Sequence, residues 1–134
     1  MVTFWLMMMR RSRTHSEAAV RFEERRQREQ DAPRLHDQVP LLATLRLDVT
    51  ESRGATNVDP KHTRIIVVDT APALFVLTCG DHACRGGGHD LTSPVLRGLL
   101  TGASRFEMED LCYGNLGPAE CGRTMRVQVS ATYR

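Results

Sequence analysis

Lysine is nearly missing from this chain: of its 18 basic residues, only Lys61 is a lysine and the rest are arginine. We read that as a compositional bias, although Arg suits bidentate anion contacts better than Lys. Net positive charge is missing too, outside the first 30 residues. Residues 1–30 carry seven Arg against four Glu, whereas residues 31–134 carry eleven basic against twelve acidic residues. Affinity for nucleic acid begins with clustered Lys and Arg that neutralise phosphates, so a neutral body argues against a strong non-specific nucleic-acid binder. Long apolar runs are absent. The most apolar stretch, the nine residues Met1–Met9, falls far short of the roughly 20 needed to cross a bilayer. Positive charge (Arg10, Arg11, Arg13) follows that stretch, whereas a secretory signal places it before the apolar region. We therefore expect no membrane partner and a cytoplasmic, reducing setting, in which thiols serve metal binding better than disulfides. No internal repeat and no low-complexity segment is present.

Chemistry is concentrated in one place. Cys79-Gly80-Asp81-His82-Ala83-Cys84-Arg85-Gly86-Gly87-Gly88-His89-Asp90 holds two thiols, two imidazoles and a run of three glycines, directly after an apolar run and before a helix signal. The other two cysteines, Cys112 and Cys121, flank a turn-rich segment. All four thiols can thus be read as two pairs that meet in space.

The rest of the chain reads as scaffold. Thr14-His15-Ser16-Glu17 forms a capping box, and a helix over about 15–30 should follow. Its apolar side is thin (Ala18, Ala19, Phe22), so it reads as a polar helical arm over residues 1–30. Pro33 and Pro40 end that pattern, and residues 31–134 read as a single domain. Ala43, Leu45, Leu47 and Val49 alternate with polar residues, as in a half-buried antiparallel strand. Ile65–Val68 and Leu74–Leu77 are continuous apolar runs, which predict strands buried on both faces or a central strand interrupted near Pro72.

A helix is predicted over 93–101, with Thr92 as N-cap, Pro94 in the first turn, a buried stripe of Val95, Leu96, Leu99 and Leu100, and Gly102 as a left-handed stop. Phe106 and Met108 mark a further strand that ends at Cys112, and Tyr113–Glu120 is a turn. Met125, Val127, Val129, Ala131 and Tyr133 alternate over the clearest strand of all. The expected fold is α+β: a small, mainly antiparallel sheet of four to five strands with one packed helix, a metal-binding cysteine loop and the N-terminal arm.

Structural zinc takes four ligands in a tetrahedron, and thiolates suit it. Cys79 and Cys84 have the spacing of a local ligand pair, with Gly80 and the later glycines expected to supply positive φ. Cys112 and Cys121 converge if the segment between them joins two antiparallel strands. We therefore expect Cys79, Cys84, Cys112 and Cys121 to hold one zinc, and iron would fit four cysteines as well. The arrangement resembles zinc-ribbon and treble-clef sites in its logic, but lacks their short C-x2-C knuckles, and no function is carried over from it.

Other readings of the same residues compete. His82 or His89 could replace a cysteine, although we expect both to bond backbone or carboxylate around the site instead. Two local disulfides, Cys79–Cys84 and Cys112–Cys121, are a further alternative. The glycine run with Arg85, His89 and the N–H groups near Thr92 would suit an anion, although no G-K-[ST] follows as in a P-loop. For catalysis, four thiolates close a zinc shell, the H-x-E with P-C-x-x-C pattern is absent, and Cys84 with His82 or His89 and Asp81 or Asp90 is crowded on one loop. The functional expectation is a non-enzymatic module with a protein partner. A nucleic-acid binder using Arg10, Arg11, Arg13, Arg25, Arg26 and Arg28 is the alternative, and a metal- or thiol-dependent enzyme comes third.

Overall fold

The structure is a computed structural model that describes residue 20 and residues 22–134. The capping box at Thr14, the Met1–Met9 stretch and Arg10, Arg11 and Arg13 lie outside the described residues. The chain divides into two compact units, Met1–Ala32 and Pro33–Arg134. In the first, residues 22–31 form a helix (α1) that is exposed along its length. Side chains one turn apart support it: Gln27 donates to the Asp31 carboxylate, and Arg26 lies 3.7 Å from Glu23.

The second unit is α+β. A one-turn helix, α2 (Leu35–Gln38), precedes the long strand β1 (Leu42–Arg53). The chain then forms β2 (Asn57–Val58), β3 (His62–Ile66), β4 (Val76–Leu77), β5 (His89–Asp90) and the helix α3 (Thr92–Leu100). It closes with β6 (Arg105–Leu111), β7 (Asn115–Leu116), β8 (Ala119–Glu120) and β9 (Thr124–Tyr133). The main sheet has five strands, all paired antiparallel, in the order β2-β1-β9-β6, with β3 also on β1. Because β9 pairs along one edge of β1, β2 and β3 follow one another along its other edge.

The period-two pattern decides which face is buried. Leu45, Leu47 and Val49 of β1 and Met125, Val127, Val129 and Ala131 of β9 point into one core, joined by Leu35, Phe75, Leu77, Leu91, Val95 and Leu99. Each of the larger apolar side chains contributes about 1.5–3 kcal/mol by leaving water. The opposite face carries Arg46, Gln128, Arg126, Glu107 and Glu109 and stays in solvent. Asp48 is the buried exception there, because Thr63 donates to its carboxylate at 2.6 Å and Arg46 at 3.2 Å. Helix α3 packs on β6 closely enough that a Cβ on Gly98 would collide with the Phe106 ring.

Four local expectations are corrected. The continuous apolar runs are not strands buried on both faces: β3 is an edge strand, with Ile65 70% and Val67 65% exposed. The second run contributes only Val76–Leu77 to a two-stranded ribbon with His89–Asp90, and Pro72 forms a bridge to Arg34. Apolar continuity reports composition, and here the strand ran out of neighbours before its second face was covered. Thr92 is the first residue of α3 and not its N-cap. Its hydroxyl accepts the Phe75 N–H, and the Asp90 carboxylate takes the Thr92 N–H. Leu100 is 63% exposed, so the buried side of α3 narrows to Val95 and Leu99 with Leu96 partly covered. Gly102 ends the helix in the left-handed region as expected, at φ 77°.

Candidate metal centre

The four cysteines reach one point from two directions. Cys79 follows β4, and Cys84 follows it in the loop that leads to β5. The Asp81 carboxylate and carbonyl shape that loop by accepting the N–H groups of Ala83 (2.9 Å) and Cys84 (3.1 Å). Cys112 follows β6 and Cys121 follows β8, so the β7–β8 hairpin carries the chain between them. Backbone bonds from Cys112 N–H to Arg123 O and from Cys121 N–H to Gly114 O, both 2.8 Å, lock that hairpin. The loop and the hairpin are joined by a reciprocal pair of bonds between Arg85 and Asn115, each 2.9 Å.

The four Sγ atoms all lie within 4.8 Å of one another. Cys79 Sγ is 3.8 Å from Cys121 Sγ, and Cys84 Sγ is 3.7 Å from Cys112 Sγ. Metal–sulfur bonds of about 2.3 Å in a regular tetrahedron put sulfurs about 3.8 Å apart. The geometry is therefore compatible with a metal site. All four cysteines are free thiols here, and the alternative of local disulfides, Cys79–Cys84 and Cys112–Cys121, is not formed.

Glycines permit this approach. A Cβ on Gly87 would lie 2.5 Å from both the Cys84 and the Cys112 sulfur, and one on Gly114 would strike the Cys84 sulfur and the Gly87 backbone. Gly80 does not have the positive φ expected of it. Its reason is also contact, since a Cβ there would run into the Glu51 carboxylate. Of the glycine run, Gly86 (φ 70°) and Gly88 (φ 141°) do use conformations closed to most residues.

Three supports surround the cysteines, of which the sequence pointed only to His89. Arg53, at the end of β1, bonds the Asp81 carboxylate (3.0 Å), the Cys121 carbonyl (3.2 Å) and the Cys121 sulfur (3.4 Å). One guanidinium therefore ties the loop to the hairpin. Glu51 accepts the Gly80 N–H at 3.2 Å and is paired with the buried Arg123 at 2.9 Å, which also meets Asp59. His89 is wholly buried, with Nδ1 2.6 Å from the Asp110 carboxylate. Its Nε2 is buried and has no hydrogen-bond partner among the described residues. His89 bonds a carboxylate as expected, whereas no sequence signal distinguishes Arg53 or Glu51, because each sits in an ordinary strand and finds its partner across the fold.

Electrostatics separate the thiols. Burial pushes Cys79 well up and Cys84 up to about 11. Burial acts in the same sense on Cys121, but the Arg123 N–H and the Arg53 guanidinium outweigh it and bring that thiol down to about 7. Arg53 thus favours the thiolate form of Cys121.

Neither histidine belongs to the sulfur group. His82 is exposed on the loop, and no hydrogen bond joins Cys84 to His82 or His89 among the described residues. The anion reading of the glycine run does not assemble either. His89 is committed to Asp110, and the Thr92 N–H is taken by Asp90.

No protein-family model, no curated protein and no solved structure matches this chain. What fold and site define is a class: an α+β domain whose mostly antiparallel five-stranded sheet carries a cluster of four cysteines compatible with a metal site. Among the described residues no helix is long and apolar enough to cross a membrane.

Proposed function

We propose that the chain is a non-enzymatic protein-interaction module whose loops are held by one structural zinc on Cys79, Cys84, Cys112 and Cys121. The observation that carries the metal reading is the sulfur tetrad itself, with every Sγ within 4.8 Å of the others. Four thiolates complete the shell of a structural zinc and leave no position for a substrate. They would also give the bound centre a net negative charge, which Arg53 partly offsets from 3.4 Å. The metal would stabilise a region that has few strand pairs of its own, since β4–β5 and β7–β8 are each two residues long per strand.

The interaction reading is supported by the free edge of the sheet. Ile65 and Val67 are exposed on or beside β3, an edge strand whose partner in the sheet is β1. A partner that adds a strand there would use backbone bonds for affinity and these two side chains for specificity.

Elemental analysis of the chain purified without a histidine tag tests the metal. The expected result is one zinc per chain, lost in Cys84→Ser. Iron in place of zinc would overturn the choice of metal, and no stoichiometric metal in the reduced protein would overturn the site. A photo-crosslinker at residue 67 tests the surface. A discrete adduct is expected that Ile65→Lys prevents at the same protein level, and an adduct that survives the lysine would overturn the strand edge as the docking surface.

A further inference from the structure

We propose that the tetrad is a reversible peroxide-responsive switch, in which oxidation replaces the metal by two disulfides, Cys79–Cys121 and Cys84–Cys112. The proposal rests on the zinc reading and adds a mode of regulation to that site. Its basis is the cross-pairing of the sulfurs. Each of the two contacts, 3.8 Å and 3.7 Å, joins one cysteine of the 79–84 loop to one of the 112–121 hairpin. Each pair also couples a half-buried thiol, Cys79 or Cys84, with a buried one, Cys121 or Cys112.

That asymmetry assigns the steps. In the zinc-loaded site the less buried residue of the pair attacks a hydroperoxide: the zinc-bound Cys79 thiolate takes one oxygen of H2O2 to become a sulfenic acid, and hydroxide leaves. The buried Cys121 thiolate then attacks the Cys79 sulfur, the S–S bond forms and a second hydroxide leaves. Cys84 and Cys112 repeat the sequence. Four thiolates are oxidised by two H2O2 to two disulfides and four hydroxides, and Zn2+, left without ligands, is released. Arg53 lies against Cys121 Sγ, where it stabilises the attacking anion.

The fold makes the product reversible. Both disulfides would staple the loop to the hairpin, the same two elements that the metal joins, and the Arg85–Asn115 bonds hold their backbones together meanwhile. Local disulfides would add no covalent link between the loop and the hairpin. Gly87, in contact with both the Cys84 and Cys112 sulfurs, leaves no side chain in the way of their closure.

The test is to titrate the zinc-loaded full chain with hydrogen peroxide, follow zinc with a metallochromic indicator, and map disulfides by mass spectrometry of non-reduced peptides. One zinc released per two disulfides, with Cys79–Cys121 and Cys84–Cys112 peptides dominant and zinc rebinding after dithiothreitol, is the expected result. Local pairs, sulfinic or sulfonic products without disulfides, or failure to rebind zinc would each overturn the switch. A second arm maps the chelator-treated, reduced chain in the same way. It reads the pairing even if the purified protein carries no zinc, so the switch and the metal site can fail separately.

Discussion

The Gly80 N–H donates to the Glu51 carboxylate across 3.2 Å, and through it the first turn of the cysteine loop is fastened to the end of β1. Glu51 is held in turn by Arg123, itself 5% exposed and two residues after Cys121. One buried ion pair thus reaches both sides of the tetrad.

Removing one member of that pair leaves the other charged and buried. Arg123→Met should destabilise the unit by about 3–5 kcal/mol in urea unfolding, whereas the double change Glu51→Gln with Arg123→Met should recover part of the loss. Equal losses in the single and double variants would show that the pair is not the source of the effect.

Gly87 has no space for a methyl group because two sulfurs occupy it. Gly87→Ala should therefore spread Cys84 from Cys112 and reduce metal retention during dialysis against a chelator. Gly54→Ala is the control: its surroundings are open, and its φ of 73° imposes only backbone strain, of about 1–2 kcal/mol. Equal metal retention by both variants would count against close packing at Gly87.

His89 clamps β5 to β6 through Asp110 at 2.6 Å without joining the sulfur group. His89→Ala should lower metal affinity by roughly 10–100-fold, as for changes around a metal's ligands, while Cys84→Ser should prevent stable binding. Competition with a chromophoric chelator reads both. If the two variants lose metal alike, a mixed Cys/His site replaces the four-cysteine one.

Asp48 gives a pH signature on the far face of the sheet. The Thr63 hydroxyl, opposed by burial and aided by Arg46, holds its carboxyl below the usual range. A depressed folded pKa adds stability that is complete above the unfolded value, about 3.9, and is lost as pH falls through the folded value. The stability gap between the wild type and Asp48→Asn should be constant from about pH 7 to 5 and shrink below about pH 4. A gap that instead grows on acidification would reverse the sign of the argument.

Alternation along β1 and β9, the stripe Val95–Leu99 with its Gly102 stop, and the density of thiols around residues 79–90 were all legible in the chain. Each is a local consequence of side-chain period, turn chemistry or ligand spacing. The partners that complete the site were not legible. At Ile65, burial could not be told from edge exposure, because a strand's burial depends on how many neighbours the sheet supplies. Arg53, Glu51 and His89 act through Cys121, Gly80 and Asp110, residues 68, 29 and 21 positions away. The sequence alone determined which residues could bind a metal. Only the tertiary structure decided which sulfurs face each other, because antiparallel pairing of β6 with β9 swings the hairpin onto the loop and brings groups distant in the chain within bonding range.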